Sequence, residues 1–167
     1  MKNLFLSAVV ATATLASCST VSSILQNTFP YNATVLVAAG SPANIELSSV
    51  SAAQSVNQLT GSGANVKDIT VSNATLSVGS DTSMGVFKSV KVYLSNNGSN
   101  QVLVASRDSI PDNVGNSLSM DVNTSQKLDN MMKSGAVQAK IVYVLKQSPT
   151  SDISLKASVG FNSVPVN

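Results

Sequence analysis

The sequence predicts a mainly β protein: an antiparallel β-sandwich, Ig-like or jelly-roll-like, with one or two short helices in its connections. From Val66 onwards, apolar and polar residues alternate with a period of two, and turn residues separate these segments at hairpin spacing. About 150 residues remain if the first 17 are a removable leader, which is enough for one core without disulfides. We therefore expect a single sandwich domain over residues 31–167.

The first part of the domain is predicted to contain two strands and a short helix. Ala33–Ala39 is a β-branched run that ends at the turn signal Gly40-Ser-Pro42, and Asn44–Ser48 alternates in the way of a strand. Over 51–59 the apolar residues take helical spacing, and Gly61 follows them, so we expect a helix there.

The middle of the chain is predicted to hold one long strand and a hairpin. The alternation that begins at Val66 slips near Ser72-Asn73, which predicts a bulge or bend within one strand. Val90–Leu94 and Val102–Val104 also alternate, with a turn sequence at Asn96–Ser99 between them. This pattern predicts a hairpin whose loop has four to six residues.

A short helix is expected after the brief alternation of Leu118–Val122. Thr124 or Ser125 can cap it, and Gly135 suits its end. Met131 and Met132 share its apolar face, where core packing is favoured over a binding surface.

The chain ends in two long alternating runs, Val137–Leu145 and Ile153–Phe161, which we interpret as an antiparallel hairpin with one buried face. Pro165, just beyond them, suits a sheet edge. Val142 and Val144 make the first run apolar on both faces, so it is either a central strand or a strand that meets a partner.

The N-terminus has the form of a secretory signal. Lys2 precedes an uncharged run, Leu4–Ala16, which is too short to span a membrane. Leu15-Ala16-Ser17-Cys18 resembles the lipobox of bacterial lipoproteins. The resemblance implies that a signal peptidase recognises Leu15, Ala16 and Ser17 and removes residues 1–17, that Cys18 carries diacylglycerol and palmitate-type acyl chains, and that 18–30 form a lipidated tether. The alternative is a buried free cysteine behind a plain signal.

The predicted location is the outer membrane. Ser19 stands where an Asp would retain many lipoproteins in the inner membrane, and the following residues lack the acidic cluster of some surface lipoproteins. The periplasmic face is therefore favoured over the cell surface. The general plan, with the stretch Val102–Asp112 between strands, resembles small β-sandwich envelope lipoproteins of Bacteroidota, a group with no settled activity.

Composition excludes several classes of chemistry. The chain has no histidine and its one cysteine is assigned to lipid, which excludes Ser-His-Asp and Cys-His catalysis and Cys or His zinc sites. Without Lys2, nine Lys or Arg face eight Asp or Glu, so there is no electrostatic footprint for nucleic acid. Glu46 and seven scattered Asp leave paired carboxylates as the only route to hydrolysis, although Asp is also an ordinary turn residue. We expect no catalytic residue and no cofactor.

Two weaker candidates share one connection. Asp108, Asp112 and Asp121 could supply oxygen ligands to calcium, but their spacing does not match an EF-hand, and we expect no metal. Asp108-Ser109-Ile110 resembles the O-glycosylation sequon of Bacteroidota, with Ser109 as the acceptor.

The preferred functional hypothesis is a non-enzymatic, lipid-anchored envelope protein. Its partners would be the membrane and another envelope or secretion component, bound through a sheet edge or connecting loops. The first alternative is a surface glycan- or ligand-binding module in nutrient uptake, which needs exposed aromatic residues such as Tyr93. The second is an enzyme that uses paired carboxylates.

Overall fold

The predicted β-sandwich is confirmed. The computed structural model describes residues 29–55, 66–133 and 135–166, and in it two antiparallel sheets pack against each other. In chain order the elements are β1 (Phe29–Val37), β2 (Glu46–Val50), β3 (Gln54–Ser55), β4 (Val66–Ser77), a 3-10 turn (Met84–Val86), β5 (Phe87–Asn96), β6 (Ser99–Arg107), β7 (Ser117–Ser119), β8 (Asp121–Val122), α1 (Asp129–Lys133), β9 (Ala136–Leu145) and β10 (Ile153–Pro165).

The strands divide into a four-stranded and a six-stranded sheet. The four-stranded sheet has the order β1-β10-β4-β7. The six-stranded sheet has the order β2-β9-β5-β6-β8, and β3 pairs with β9 beside β2. Because strand β1 begins at Phe29, which pairs with Phe161, Phe29 and Pro30 belong to the sandwich and not to the predicted tether.

The core lies between the inner faces of the two sheets. Along their paired length, β1 and β10 place every second residue in the core. Phe29 stacks on Phe161 with ring centroids 5.2 Å apart, and Phe87 meets Tyr143 edge-on at 5.9 Å. Period-two alternation therefore reflects one buried face per strand, as the sequence predicts.

The predicted slip in β4 is confirmed as a β-bulge. Gly160 of β10 pairs with Asn73, and its neighbour Phe161 pairs with Val71, so Ser72 is the extra residue. Val71 and Ala74 consequently both point into the core, although they are three positions apart.

The predicted hairpin of the last two strands is wrong. Strand β9 pairs with β2, β3 and β5 in the six-stranded sheet, whereas β10 pairs with β1 and β4 in the other. The segment 146–152 crosses between the sheets, and Pro149 there accepts a hydrogen bond from the amide of Gly40 at 2.8 Å. Alternation could not separate the two cases, because both sheets bury one face against the same core.

The two interpretations of the strands themselves have different outcomes. Because β9 lies between β2 and β5, the prediction of a central strand for Val142 and Val144 is confirmed. Strand β10 lies between β1 and β4, but its described pairing with β1 ends at Phe161, so the edge position of Pro165 stays a prediction. Pro165 is the last residue of that strand and pairs with Val66, so it ends the ladder there.

Two local predictions are also wrong. Residues 51–55 are not helical: the chain follows β9, with Gln54 opposite Val137, and residues 56–65 lie outside the described part. The β5–β6 loop has two residues instead of four to six. Asn97 and Gly98 both have positive φ, 47° and 80°, which is the type I′ geometry that Asn-Gly favours.

The predicted helix before β9 is confirmed in a shortened form as α1, and both Met131 and Met132 are buried. The brief alternation of 118–122 is divided between the sheets, because β7 joins the four-stranded sheet and β8 the six-stranded one. None of the helices in the described ranges is long and apolar enough to cross a membrane.

Where β1 and β2 lie next to each other, side chains of the six-stranded sheet form hydrogen bonds with the backbone of β1. Ser49 donates through its hydroxyl to the carbonyl of Leu36 at 3.1 Å, and Gln54 donates through Nε2 to the carbonyl of Asn32 at 2.7 Å. The exposed backbone groups of β1 are thereby partly satisfied, which reduces edge-to-edge pairing with another chain.

The edge of β4 beyond the short strand β7 is closed by α1 and the residue before it. Leu128 donates its amide to the carbonyl of Ile69 at 2.8 Å, and Asp129 accepts the Ile69 amide at 3.1 Å. Strand β6 extends past β8, and two register irregularities interrupt its pairing with β5. Such bulges are a common protection for an exposed strand edge.

Candidate functional site

Three of the predicted site residues lie in the 108–116 connection, which joins β6 in one sheet to β7 in the other. It contains Asp108, Ser109 and Asp112 and has no regular secondary structure over its nine residues. Binding residues are found more often on connections than in strands, because a rigid scaffold can position the side chains of a loop.

Ile110 is the anchor of the 108–116 connection. Its side chain is buried, and its amide donates to the carbonyl of Lys88 at 3.1 Å. Its carbonyl accepts from Lys146 Nζ at 2.6 Å. An apolar side chain in the core and two hydrogen bonds fix this residue and leave its neighbours in water.

Lys146 also forms an ion pair with Asp112. The side chain of Asp112 is 90% exposed and that of Lys146 is 29% exposed. An ion pair this open to water adds little to the stability of the fold. Its effect is positional: one ammonium group holds both the carbonyl of Ile110 and the carboxylate of Asp112.

The other side of the 108–116 connection packs on the 3-10 turn. The Ser83 hydroxyl donates to the carbonyl of Val114 and accepts from the amide of Gly85 at 3.0 Å. Gly85 passes so close to the backbone of Asp112 that a side chain there would overlap it. Glycine is therefore required at position 85 by the close approach of two backbones.

Two shallow depressions flank the Asp112–Lys146 pair, with volumes of about 360 and 480 Å³. Their surfaces offer an ammonium group, amides, hydroxyls and backbone carbonyls, which suit polar contacts with another protein chain. The first is lined by Ser83, Gly85, Val86, Asp112, Lys146 and Gln147, and the second by Asn44, Lys88, Ser109, Ile110, Pro111, Asp112 and Lys146.

No pattern in the sequence indicates that Lys88, Lys146 or Gly85 belongs to this site. Lys88 and Lys146 stand at the ends of strand patterns, where a lysine is ordinarily a solvent-facing residue. Gly85 is not part of a recognisable turn sequence. Only the topology, which brings the end of β9 and the start of β5 under the 108–116 connection, reveals their roles.

Ser109 is exposed and has a φ of 53°, in the left-handed region. Its neighbour Ile110 is fixed in the core, so the hydroxyl is held at the protein surface. The O-glycosylation of Ser109 stays a prediction, and its accessibility is compatible with it.

The calcium candidates do not form a metal site. Asp112 pairs with Lys146, while Asp121 lies on β8 and pairs with Arg107 at 3.2 Å. Across residues 29–55, 66–133 and 135–166, no three acidic or other metal-ligating side chains form a group that could hold a metal ion. Two of the three candidate carboxylates, Asp112 and Asp121, instead pair with neighbouring cations.

Other carboxylates also have structural partners. Asp68 pairs with Lys127 at 2.6 Å, and the hydrogen bond and charge of Lys127 lower the pKa of Asp68. A general acid at neutral pH requires a shift in the opposite direction. Asp152 accepts the amide of Ala39 at 2.8 Å, at the crossing between the sheets.

Aromatic side chains are largely used in the core. Tyr93 is half-buried on an outer face, so the described part of the chain presents no row of exposed aromatic rings. The other five described aromatic residues are buried: Phe29, Tyr31, Phe87, Tyr143 and Phe161.

Tyr31 forms a polar link between the two sheets that the sequence did not indicate. Its hydroxyl lies 2.9 Å from the Ser51 hydroxyl and accepts the amide of Ala139 at 2.9 Å. Burial raises the pKa of Tyr31, against a smaller lowering by these hydrogen bonds. The link joins β1 to β9 at the level where β2 gives way to β3.

The outer face of the six-stranded sheet carries one cross-strand row that is mostly apolar, which we call the Tyr93 row. Its neighbouring members pair in register across β2, β9, β5 and β6. In that order they are Val50, Lys140, Tyr93 and Leu103.

The outer face of the four-stranded sheet differs, because hydroxyl and amide side chains predominate in its central rows and its exposed apolar side chains, Leu36 and Val164, lie near opposite ends of the face. Two complete rows run in register across β1, β10, β4 and β7. They are Asn32-Ser158-Thr75-Ser119 and Thr34-Lys156-Ser77-Ser117.

No protein-family model, no curated protein and no solved structure matches this chain. The lipobox residues Leu15, Ala16, Ser17 and Cys18 and the tether residues before Phe29 lie outside the described residues. A functional conclusion therefore depends on the sequence of the N-terminus and on the geometry of the sandwich.

Proposed function

We propose that the protein is a non-enzymatic, lipid-anchored envelope protein that binds another envelope or secretion component through the 108–116 connection. Cys18 would hold it in the outer membrane, on the periplasmic face. The observation that carries this proposal is the 108–116 connection itself: a long connection fixed from beneath, with its polar tip exposed.

The closed sheet edges favour the connection as the contact surface. Side chains from β2 and β3 occupy the exposed edge of β1, α1 closes β4, and bulges interrupt β6. An added strand from a partner would have few free backbone groups to pair with. A loop that is already fixed in one conformation, by contrast, loses little entropy on binding.

The lipid anchor is tested by mass spectrometry of the mature protein. The expected N-terminal peptide begins at Cys18 and carries the mass of diacylglycerol and a further acyl chain. Cys18→Ala should release the protein from the membrane fraction, while Ser19→Ala, which leaves the thiol in place, should remain membrane-bound. An unmodified Cys18 in membrane-derived protein would contradict the anchor.

The contact surface is tested by placing a photo-crosslinking amino acid at Asn113, which is exposed at the tip of the 108–116 connection. In intact cells we expect adducts with one recurring envelope protein. The same amino acid at Thr34, which is exposed on the outer face of the four-stranded sheet, is the matched control and should give few adducts.

A second variant links the adducts to the geometry of the connection. Gly85→Ala should displace the backbone at Asp112 and reduce crosslinking from Asn113 without removing the lipid anchor. Equal adducts from Asn113 and Thr34, or hydrolase activity that disappears on changing one Asp, would overturn the proposal.

We further propose Ser109 as an acceptor for an O-linked glycan. The intact mass of the native protein should exceed the mass of its chain and lipid, and Ser109→Ala should remove the difference. Ser106→Ala, on β6, is the control and should leave the mass of the glycan unchanged.

A further inference from the structure

The outer face of the six-stranded sheet exposes more apolar surface than its role in the fold requires. In the Tyr93 row, Val50 is 55% exposed and Leu103 is 39% exposed, and the ring of Tyr93 between them is half-buried. These side chains point away from the core, so water covers them unless another surface does.

Two lysines accompany the apolar side chains on this face. Lys140 stands in the Tyr93 row, and Lys91 pairs in register with Val142 in the next row. Within the described residues neither lysine forms an ion pair, which is also true of Lys67, Lys88 and Lys156. The two free ammonium groups thus leave positive charge around Tyr93.

The acidic groups of the same face lie away from the Tyr93 row or are neutralised. Glu46 pairs in register with Val144, two rows beyond Lys140. Asp121, at the opposite edge, is bound to Arg107 at 3.2 Å. A surface that covers the Tyr93 row would therefore meet hydrophobic groups and unpaired positive charge together.

The Tyr93 row lies at the end of the sandwich where the chain enters from the N-terminus. Tyr31, the third residue of β1, accepts the amide of Ala139, which is the neighbour of Lys140. Its hydroxyl also contacts Ser51, the neighbour of Val50. The row is therefore level with the start of β1.

The chain between Cys18 and β1 is short. Residues 18–28 are eleven in number, and at the extended limit of ~3.3–3.6 Å per residue they reach at most about 40 Å. A domain held on such a tether is kept near the bilayer at a high effective concentration.

We propose that the Tyr93 row and its two lysines rest on the anionic headgroup surface of the membrane in which Cys18 is anchored; this inference rests on the proposed function. Val50, Leu103 and the ring of Tyr93 would enter the interface, where a tyrosine places its apolar ring and its hydroxyl at headgroup level. Lys91 and Lys140 would meet lipid phosphates.

This orientation leaves the rest of the protein accessible. The hydroxyl-rich outer face of the four-stranded sheet is turned to water. Lys146, under the 108–116 connection, follows the far end of β9, six residues beyond Lys140. At ~3.3 Å per residue the connection lies roughly 20 Å along the strand from the membrane-contacting row.

The absence of tryptophan from the sequence allows a direct test with single reporters. Tyr93→Trp places one in the proposed contact, and Ser158→Trp places one on the opposite face. Ser158 is a matched control because its register partner Asn32 adjoins Tyr31, so both reporters lie at the same height in the sandwich.

The full lipidated protein would be reconstituted in vesicles of phosphatidylethanolamine and phosphatidylglycerol with brominated acyl chains, which quench tryptophan. We expect several-fold stronger quenching of Tyr93→Trp than of Ser158→Trp. Lys91→Gln with Lys140→Gln, or omission of phosphatidylglycerol, should reduce the difference. Thermal unfolding of each variant shows whether it is folded.

The outcomes separate this inference from the proposed function. Equal quenching of the two reporters in protein that carries the Cys18 lipid would overturn membrane contact and leave the anchor intact. Protein that lacks the lipid mass would overturn both. A difference in quenching that persists unchanged without anionic lipid would overturn the role assigned to the two lysines.

Discussion

The two outer faces of this sandwich are built on the same pleat but arrange their exposed side chains differently. The four-stranded sheet presents mainly hydroxyl and amide side chains, with Lys67, Lys156 and two widely separated apolar side chains, Leu36 and Val164, among them. The six-stranded sheet instead brings exposed apolar side chains together in the Tyr93 row, beside Lys91 and Lys140. The inner faces, in contrast, are alike in being apolar and buried. Folding constrains the inner faces, so the difference between the outer faces is the better guide to function.

The largest effects should come from the inner faces, and they should be similar in the two sheets. Phe161→Ala in β10 and Ile141→Ala in β9 each remove a side chain that is fully buried. We expect each to lower the free energy of unfolding by about 2–5 kcal/mol, measured by urea denaturation. Ser158→Ala, on the outer side of β10, should change it by less than ~0.5 kcal/mol. A comparable loss at Ser158 would contradict the separation of inner and outer faces.

The next largest effect should come from the link between the sheets. Tyr31→Phe removes the hydroxyl that accepts the Ala139 amide, although Ser51 Oγ, 3.1 Å from that amide, remains. We expect a loss of about 1–2 kcal/mol, with Tyr93→Phe on the outer face as the control. Equal losses in both variants would show that the buried link has no special role.

The same tyrosine predicts a dependence on alkaline pH. Burial raises the pKa of Tyr31 above its usual 10.0, so the folded protein keeps the phenolic proton after the unfolded chain has lost it. The contribution to stability is complete below pH 10 and is lost as the pH rises through the folded pKa. The advantage of the wild type over Tyr31→Phe should shrink there. An advantage that stays constant would contradict the raised pKa.

A smaller effect on stability is expected for Leu103→Asn, because Leu103 is already 39% exposed. The free energy of unfolding should change by less than ~1 kcal/mol. Vesicle contact of the Tyr93→Trp reporter should nevertheless weaken. A loss of stability as large as that of Phe161→Ala would show that Leu103 serves the fold and not a contact.

The smallest effect on stability is expected for the ion pair between Asp68 of β4 and Lys127. Lys127→Gln should return the pKa of Asp68 towards its usual 3.8, measured by NMR titration, because Lys127 is the main cause of its lowering. Lys67→Gln, which removes a weaker charge effect, should shift it less. The stability linked to this lowering is present above pH 3.8 and is lost as the pH falls through the folded pKa. The reverse ranking of the two lysines would contradict the assigned cause.

Sequence reasoning predicted the local features of this fold better than its pairing. The bulge at Ser72 and the burial of Met131 and Met132 follow from periodicity, which records which side of an element is buried. Periodicity does not record which sheet lies opposite. For this reason the patterns of β9 and β10, which are adjacent in the chain and similar, predict one hairpin although the two strands occupy different sheets.

The candidate site was predictable in part. Asp108, Ser109 and Asp112 are in the 108–116 connection as their turn-forming character indicates. The roles of Lys146, Lys88 and Gly85 depend on contacts between segments that are remote in the sequence, and no local pattern records such contacts. Within 51–55, the described part of the predicted helix, helical spacing was misleading because Ser51 and Gln54 bond to β9 and β1 instead of forming a helix.

The pairing of β1 with β10 has a consequence for how the protein is made. The first strand of the described sandwich finds its partner in the last, so the ring of chain that closes between them spans almost the whole domain. Contacts this far apart in sequence are slow to form. A nascent chain cannot complete its four-stranded sheet until β10 has been synthesised, and until then β1 lacks the strand with which it pairs. A chain truncated before β10 would still contain β1 and β4, but the strand that joins them in the sheet would be missing.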